Sequence, residues 1–132
     1  MSEQLIKETY STLVNNTIQM RLITFLEMAF NFVILLGNLN TYMYFLPFIF
    51  SYIGWNGFLY YRSDKITIYI IGHFLEIIYS FIYYTNKQNN MTNAFSLLVI
   101  LCYNCYVIIN SIKFRSIIIN INNLIQEYIE NN

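Results

Sequence analysis

Four stretches of the chain, residues 22–39, 42–61, 66–84 and 94–112, are almost wholly apolar and are joined by short links. A helix needs ~20 largely apolar residues to cross ~30 Å of hydrocarbon, and backbone polar groups in lipid must find their partners within the segment. The second and fourth stretches carry no charge. The first contains Glu27 and Asn31, and the third contains His73 and Glu76. Buried helices of a water-soluble protein are the competing explanation, and composition decides against it. Only 11% of the 132 residues are charged and 57% are hydrophobic, whereas a soluble domain carries ~25% charge. The expected fold is all-α, an integral membrane bundle of four helices.

Lys and Arg accumulate on the cytoplasmic side of membrane proteins. Lys7 and Arg21 precede the first stretch, Arg62 and Lys65 lie between the second and third, and Lys113 and Arg115 follow the fourth. All of these fall on one side. The opposite links, "GNLNT" and "NKQNNMTN", hold Lys87 alone. Both termini are therefore expected on the cytoplasmic or equivalent side of a membrane that the sequence does not name. The Asn90-Met91-Thr92 tripeptide falls in an outer link, where a glycan could reach it. Tyr42, Tyr44, Tyr60, Tyr61, Tyr83 and Tyr84 sit near stretch ends, as amphipathic rings do at the headgroup level.

Residues 1–20 lack the short apolar core of a cleavable leader. Ile6, Tyr10, Leu13, Val14 and Ile18 instead recur at helical spacing, which predicts a short amphipathic helix lying at the inner surface. Over residues 113–132 the pattern strengthens: Ile117, Ile118, Ile121, Leu124, Ile125, Tyr128 and Ile129 form one stripe. Its polar face carries Glu127 and Glu130, which disfavours attraction to anionic lipid. A partner helix, or the chain's own bundle, is expected to cover it. The organisation is thus a 21–112 bundle with an amphipathic helix at each end.

Counting ~1.5 Å per residue from the inner basic residue of each stretch gives the depth of every polar group. Glu27 and Asn31 come out ~9 and ~15 Å deep, His73 and Glu76 ~12 and ~16 Å, Asn56 ~9 Å and Asn104 ~13 Å. These six residues are expected to share one slab. A carboxylate in hydrocarbon costs at least ~2.5 kcal/mol, so Glu27 and Glu76 should face the interior. The i,i+4 spacing of Glu27 and Asn31, and the i,i+3 spacing of His73 and Glu76, place each pair on one helix face.

Three functions are compatible with such a layer. It can be interhelical glue in a scaffold or accessory subunit of a larger membrane complex, a proton relay in a small transporter or channel, or an acid/base set acting on a lipid or sterol. The first is the preferred expectation, with membrane lipids and other membrane protein subunits as partners. A net charge of zero gives no footprint for nucleic acid. No phosphate-binding glycine loop or Ser-His-Asp arrangement is present, no cofactor is implied, and one His with two Glu is too small a set to imply a metal. Cys102 and Cys105 have C-x-x-C spacing but no nearby cation to lower a thiol pKa. They are expected as small buried residues at a helix contact. Gly54 and Gly57 could thin one face of the second stretch, and Pro47 could kink it.

Overall fold

A computed structural model describes residues 2–37, 45–86 and 90–132. The expected anchors Tyr42 and Tyr44, most of the first outer link and Lys87 lie outside the described residues. Four helices follow in order: α1 Ser2–Gly37, α2 Phe45–Leu59, α3 Ser63–Thr85 and α4 Met91–Glu130. They form an all-α four-helix bundle in which α1 packs on α2, α2 on α3, α3 on α4 and α4 back on α1. Neighbours run antiparallel, as the pairings of Asn31 with Pro47, His73 with Asn104 and Glu27 with Tyr103 require. By length and composition α1, α3 and α4 could each cross a membrane, while α2 has only 15 residues.

Each helix turns a narrow stripe inward. On α1 it runs Leu13, Thr17, Met20, Thr24, Glu27, Asn31 and Leu35, in steps of three or four. On α4 it runs Asn104, Val107, Ser111, Phe114, Ile118 and Ile121. The buried hydroxyls of Thr17 and Thr24 donate to Leu13 and Met20 carbonyls one turn back, at 2.7 and 2.9 Å, so they add no unpaired donor. The other faces are apolar and exposed; Leu22, Phe30, Phe74, Ile78, Phe95 and Leu98 are each at least half exposed. Such a surface suits lipid and would be a liability in water.

The terminal amphipathic helices are not separate elements. Neither residues 2–36 nor residues 91–130 contain a glycine or proline, so nothing interrupts the backbone ladder and α1 and α4 run on past the bundle. The two extensions pack on each other, with Leu13, Ile118 and Ile121 in the same buried cluster as Phe58 and Val107. Part of the C-terminal stripe is therefore covered by the chain's own first helix. Cys102 and Cys105 also differ from expectation. Both are free and exposed, because they fall beside the Asn104, Val107 stripe and not on it. Pro47 lies in the first turn of α2, where the missing N–H breaks no bond within the helix.

Small residues let α2 and α3 approach closely. A Cβ on Gly54 would lie 2.4 Å from the Tyr69 ring, one on Gly72 2.6 Å from Phe50, and one on Gly57 3.0 Å from the Ile66 backbone nitrogen. The α2–α3 link is a tight reversal. Arg62 N–H donates to Gly57 O at 2.9 Å across Tyr61, whose φ of 53° is a left-handed conformation that usually selects glycine. Tyr61 is held there by stacking on Phe114 and by the Arg21 guanidinium over its ring. Arg21 also donates to the Phe58 and Leu59 carbonyls at the end of α2, at 3.2 and 2.9 Å, where a cation offsets the negative end of the helix. Arg115 donates to Thr67 Oγ1 at 2.7 Å at the same end of the bundle.

Ser111 is fully buried on the α4 stripe, and its Oγ has no hydrogen-bond partner among the described residues. An unmet buried hydroxyl costs about 1–3 kcal/mol. Ser111→Ala is therefore expected to raise the melting temperature of the purified protein in micelles, and a fall would show that the hydroxyl is satisfied.

Candidate functional site

Glu27 lies on the inward stripe of α1 and reaches across the bundle axis. One carboxylate oxygen, Oε2, accepts from the Tyr69 hydroxyl of α3 at 2.5 Å. The other, Oε1, accepts from the Tyr103 hydroxyl of α4 and stands 3.2 Å from His73 Nε2. The α1 and α3 backbones do not pack on each other, so this carboxylate joins diagonal helices through side chains alone. Glu27 and His73 are well shielded, with side chains 11% and 5% exposed.

His73 faces acceptors on both sides. Nδ1 lies 2.5 Å from Asn104 Oδ1 and 3.5 Å from Glu76 Oε2, while Nε2 points at Glu27. The Asn104 amide is oriented by its own Nδ2, which donates to Ile100 O at 2.9 Å. Turning that amide over would set its oxygen against a carbonyl. With the amide so fixed, the surroundings of the ring suit a donor at each nitrogen. The ring is also gripped by aromatic edges, with Tyr69 at 4.6 Å and Tyr103 at 6.3 Å between centroids.

The sequence places six polar residues in one slab, and the structure sorts them into three groups. Glu27, His73, Glu76 and Asn104 meet in one cluster. Asn31 belongs to a second contact one turn along α1, where its Nδ2 donates to Ser51 Oγ at 2.7 Å and to Pro47 O at 3.4 Å. Ser51 in turn donates to Pro47 O at 2.7 Å, which ties α1 to α2. Asn56 joins neither. Its amide reaches back to Tyr52 O on its own helix at 3.5 Å, because the inward face of α2 is taken by Ser51, Gly54 and Phe58.

Sequence reading misses Tyr69 and Tyr103. Tyr103 lies in mid-stretch, which sets it apart from anchoring tyrosines, whereas Tyr69 is only four residues past Lys65 and is signalled by its helix face alone. Tyr69 is four residues before His73 and so shares its face.

Glu76 differs from Glu27. Its side chain is 37% exposed, its one close partner is His73, and among the described residues no hydrogen bond reaches its second oxygen. It lines a cleft of about 440 Å3 beside Glu27, Phe30 and Tyr103. It also lines an open cleft of about 500 Å3 to which all four helices contribute. No group of three or more His, Cys, Asp and Glu among the described residues is arranged to hold a metal ion. No protein family, curated protein or solved structure matches the chain.

Proposed function

We propose that the protein is an integral membrane scaffold or accessory subunit, with both termini on the cytoplasmic or equivalent side, that binds other membrane protein subunits. The observation that carries this reading is the projecting pair of helix ends. Arg21 lies level with the end of α2 and Arg115 with the start of α3. Residues 2–20 and 116–130 therefore extend beyond the inner basic ring, over a length of ~25 Å. That part still exposes Leu5, Tyr10 and Ile18 from α1, and Ile125, Tyr128 and Ile129 from α4. Beyond the hydrocarbon it meets water and headgroups, where such a surface favours a protein partner. The saturated Glu27 cluster fits the same reading, since it is spent on holding the helices and has little capacity left for a substrate.

Extraction in a mild detergent followed by native mass measurement tests the proposal. The expected particle is larger than one chain and of fixed composition, and Ile125→Asp with Ile129→Asp should release the chain from it while leaving it inserted. A solitary wild-type chain would overturn the reading. One observation favours transport instead: the unspent Glu76 oxygen faces a cleft near mid-depth. Against it, Phe58, Tyr69, Val107 and Phe114 fill the bundle axis toward the inner end, with no more than 2% exposure. A transport reading would require that plug to open.

A further inference from the structure

The open cleft lined by Asn31, Pro47, Glu76, Val99, Ile100 and Tyr103 has a volume of about 500 Å3, within the ~300–1,000 Å3 that ligand pockets span. Its walls are mostly apolar, and Glu76 is the only charged group on them. None of the described lysines and arginines lines the cleft, and His73, 3.5 Å away, is the one titratable partner facing that carboxylate. Lys7 pairs with Glu3, Arg21 caps α2, Arg62 pairs with Asp64, and Arg115 binds Thr67. His73 is shared among Glu27, Asn104 and Glu76, and lies nearer the first two.

We propose that this cleft binds a lipophilic organic ammonium ion, with its charge against the free oxygen of Glu76 and its apolar substituents among Ile34, Pro47, Val99 and Ile100. The choice of an organic cation follows from the lining. A bare calcium ion takes ~6–8 oxygen ligands, whereas this lining is mostly apolar and holds a single carboxylate. An alkylammonium needs one counter-charge and apolar walls. The Tyr103 ring on the cleft wall adds a face that attracts a cation. The site goes beyond a scaffold role and stands or falls separately from it, because a chain that assembles normally could still bind no cation.

Equilibrium dialysis of radiolabelled tetrabutylammonium against the whole protein in phosphatidylcholine nanodiscs tests the site. Saturable binding near one ion per chain is expected, weakened on the order of tenfold or more in Glu76→Gln. Glu130→Gln, in the exposed tail, should bind as wild type. Ile100→Trp, which leaves the carboxylate intact but fills the cleft, should also abolish binding, so the test survives a failure of the Glu76 variant to fold. Uptake that rises linearly with probe, or is the same in wild type, Glu76→Gln and Ile100→Trp, would mean partition into lipid and would overturn the proposal.

Discussion

Glu27→Ala is expected to lower the unfolding free energy of the bundle in micelles by about 2–5 kcal/mol, the largest effect of any single polar truncation in the protein. Hydrogen bonds between membrane helices are worth ~0.6–2 kcal/mol each, and Glu27 takes part in contacts with Tyr69, Tyr103 and His73. Truncation also strands two hydroxyls and a ring nitrogen. Glu27→Gln keeps an acceptor but presents an amide N–H₂ toward donors, so it should fall between wild type and alanine. Glu76→Ala, which loses one long contact at 3.5 Å, should cost less than about 1 kcal/mol. Thermal or denaturant unfolding of the three variants gives the order directly. Equal losses for Glu27→Ala and Glu76→Ala would contradict the asymmetry between the two carboxylates.

Gly54→Ala is expected to be the most damaging small substitution, at about 2–4 kcal/mol, above the usual ~1–3 kcal/mol for overpacking. The added methyl would sit 2.4 Å from Tyr69 Cδ2. That ring has nowhere to go, because it is 1% exposed and meets Phe58 and His73 edge-on. Its displacement would also pull the Tyr69 hydroxyl from Glu27, so packing and the polar cluster fail together. Gly72→Ala meets the Phe50 ring, which is only partly buried and can rotate, and should cost about 1 kcal/mol. Gly37→Ala meets no atom within 4 Å among the described residues and should be near neutral. Melting temperatures in that order support the close approach of α2 and α3 at Gly54. A harmless Gly54→Ala would place the two helices further apart.

How much of this was legible in the sequence depends on the kind of contact. Depth is a local quantity, set by residue count from the nearest inner charge, so it brings His73, Glu76, Glu27 and Asn104 to one level before any fold is known. Azimuth is not local for α2. Asn56 has the right depth, but which face of a wholly apolar helix turns inward is decided by its neighbours, and Gly54 and Phe58 point there instead. Cys102 and Cys105 flank Asn104, whose buried amide marks the inward face of α4, and so the two thiols fall beside that face. Tyr103 is legible in the sequence, while Tyr69, four residues past Lys65, is not legible by depth. A tyrosine at mid-depth must bond its hydroxyl to something, and the carboxylates are the natural acceptors. The sequence pattern suggests separate amphipathic helices at the two ends, where the structure has continuous ones. Their continuity with α1 and α4 follows from the lack of any glycine or proline to stop them, a signal that outweighs the change in composition at residue 21.

A carboxylate on α1 ties that helix to α3, whose backbone does not pack on it. A double-mutant cycle on Glu27 and His73 is the most direct measurement of that tie, using Glu27→Ala, His73→Ala and the double variant in unfolding experiments. A favourable coupling of about 1 kcal/mol or more is expected, because each single change strands the partner's buried group. Losses that add to within about 0.3 kcal/mol would mean that the two residues do not act on each other, and would contradict the claim.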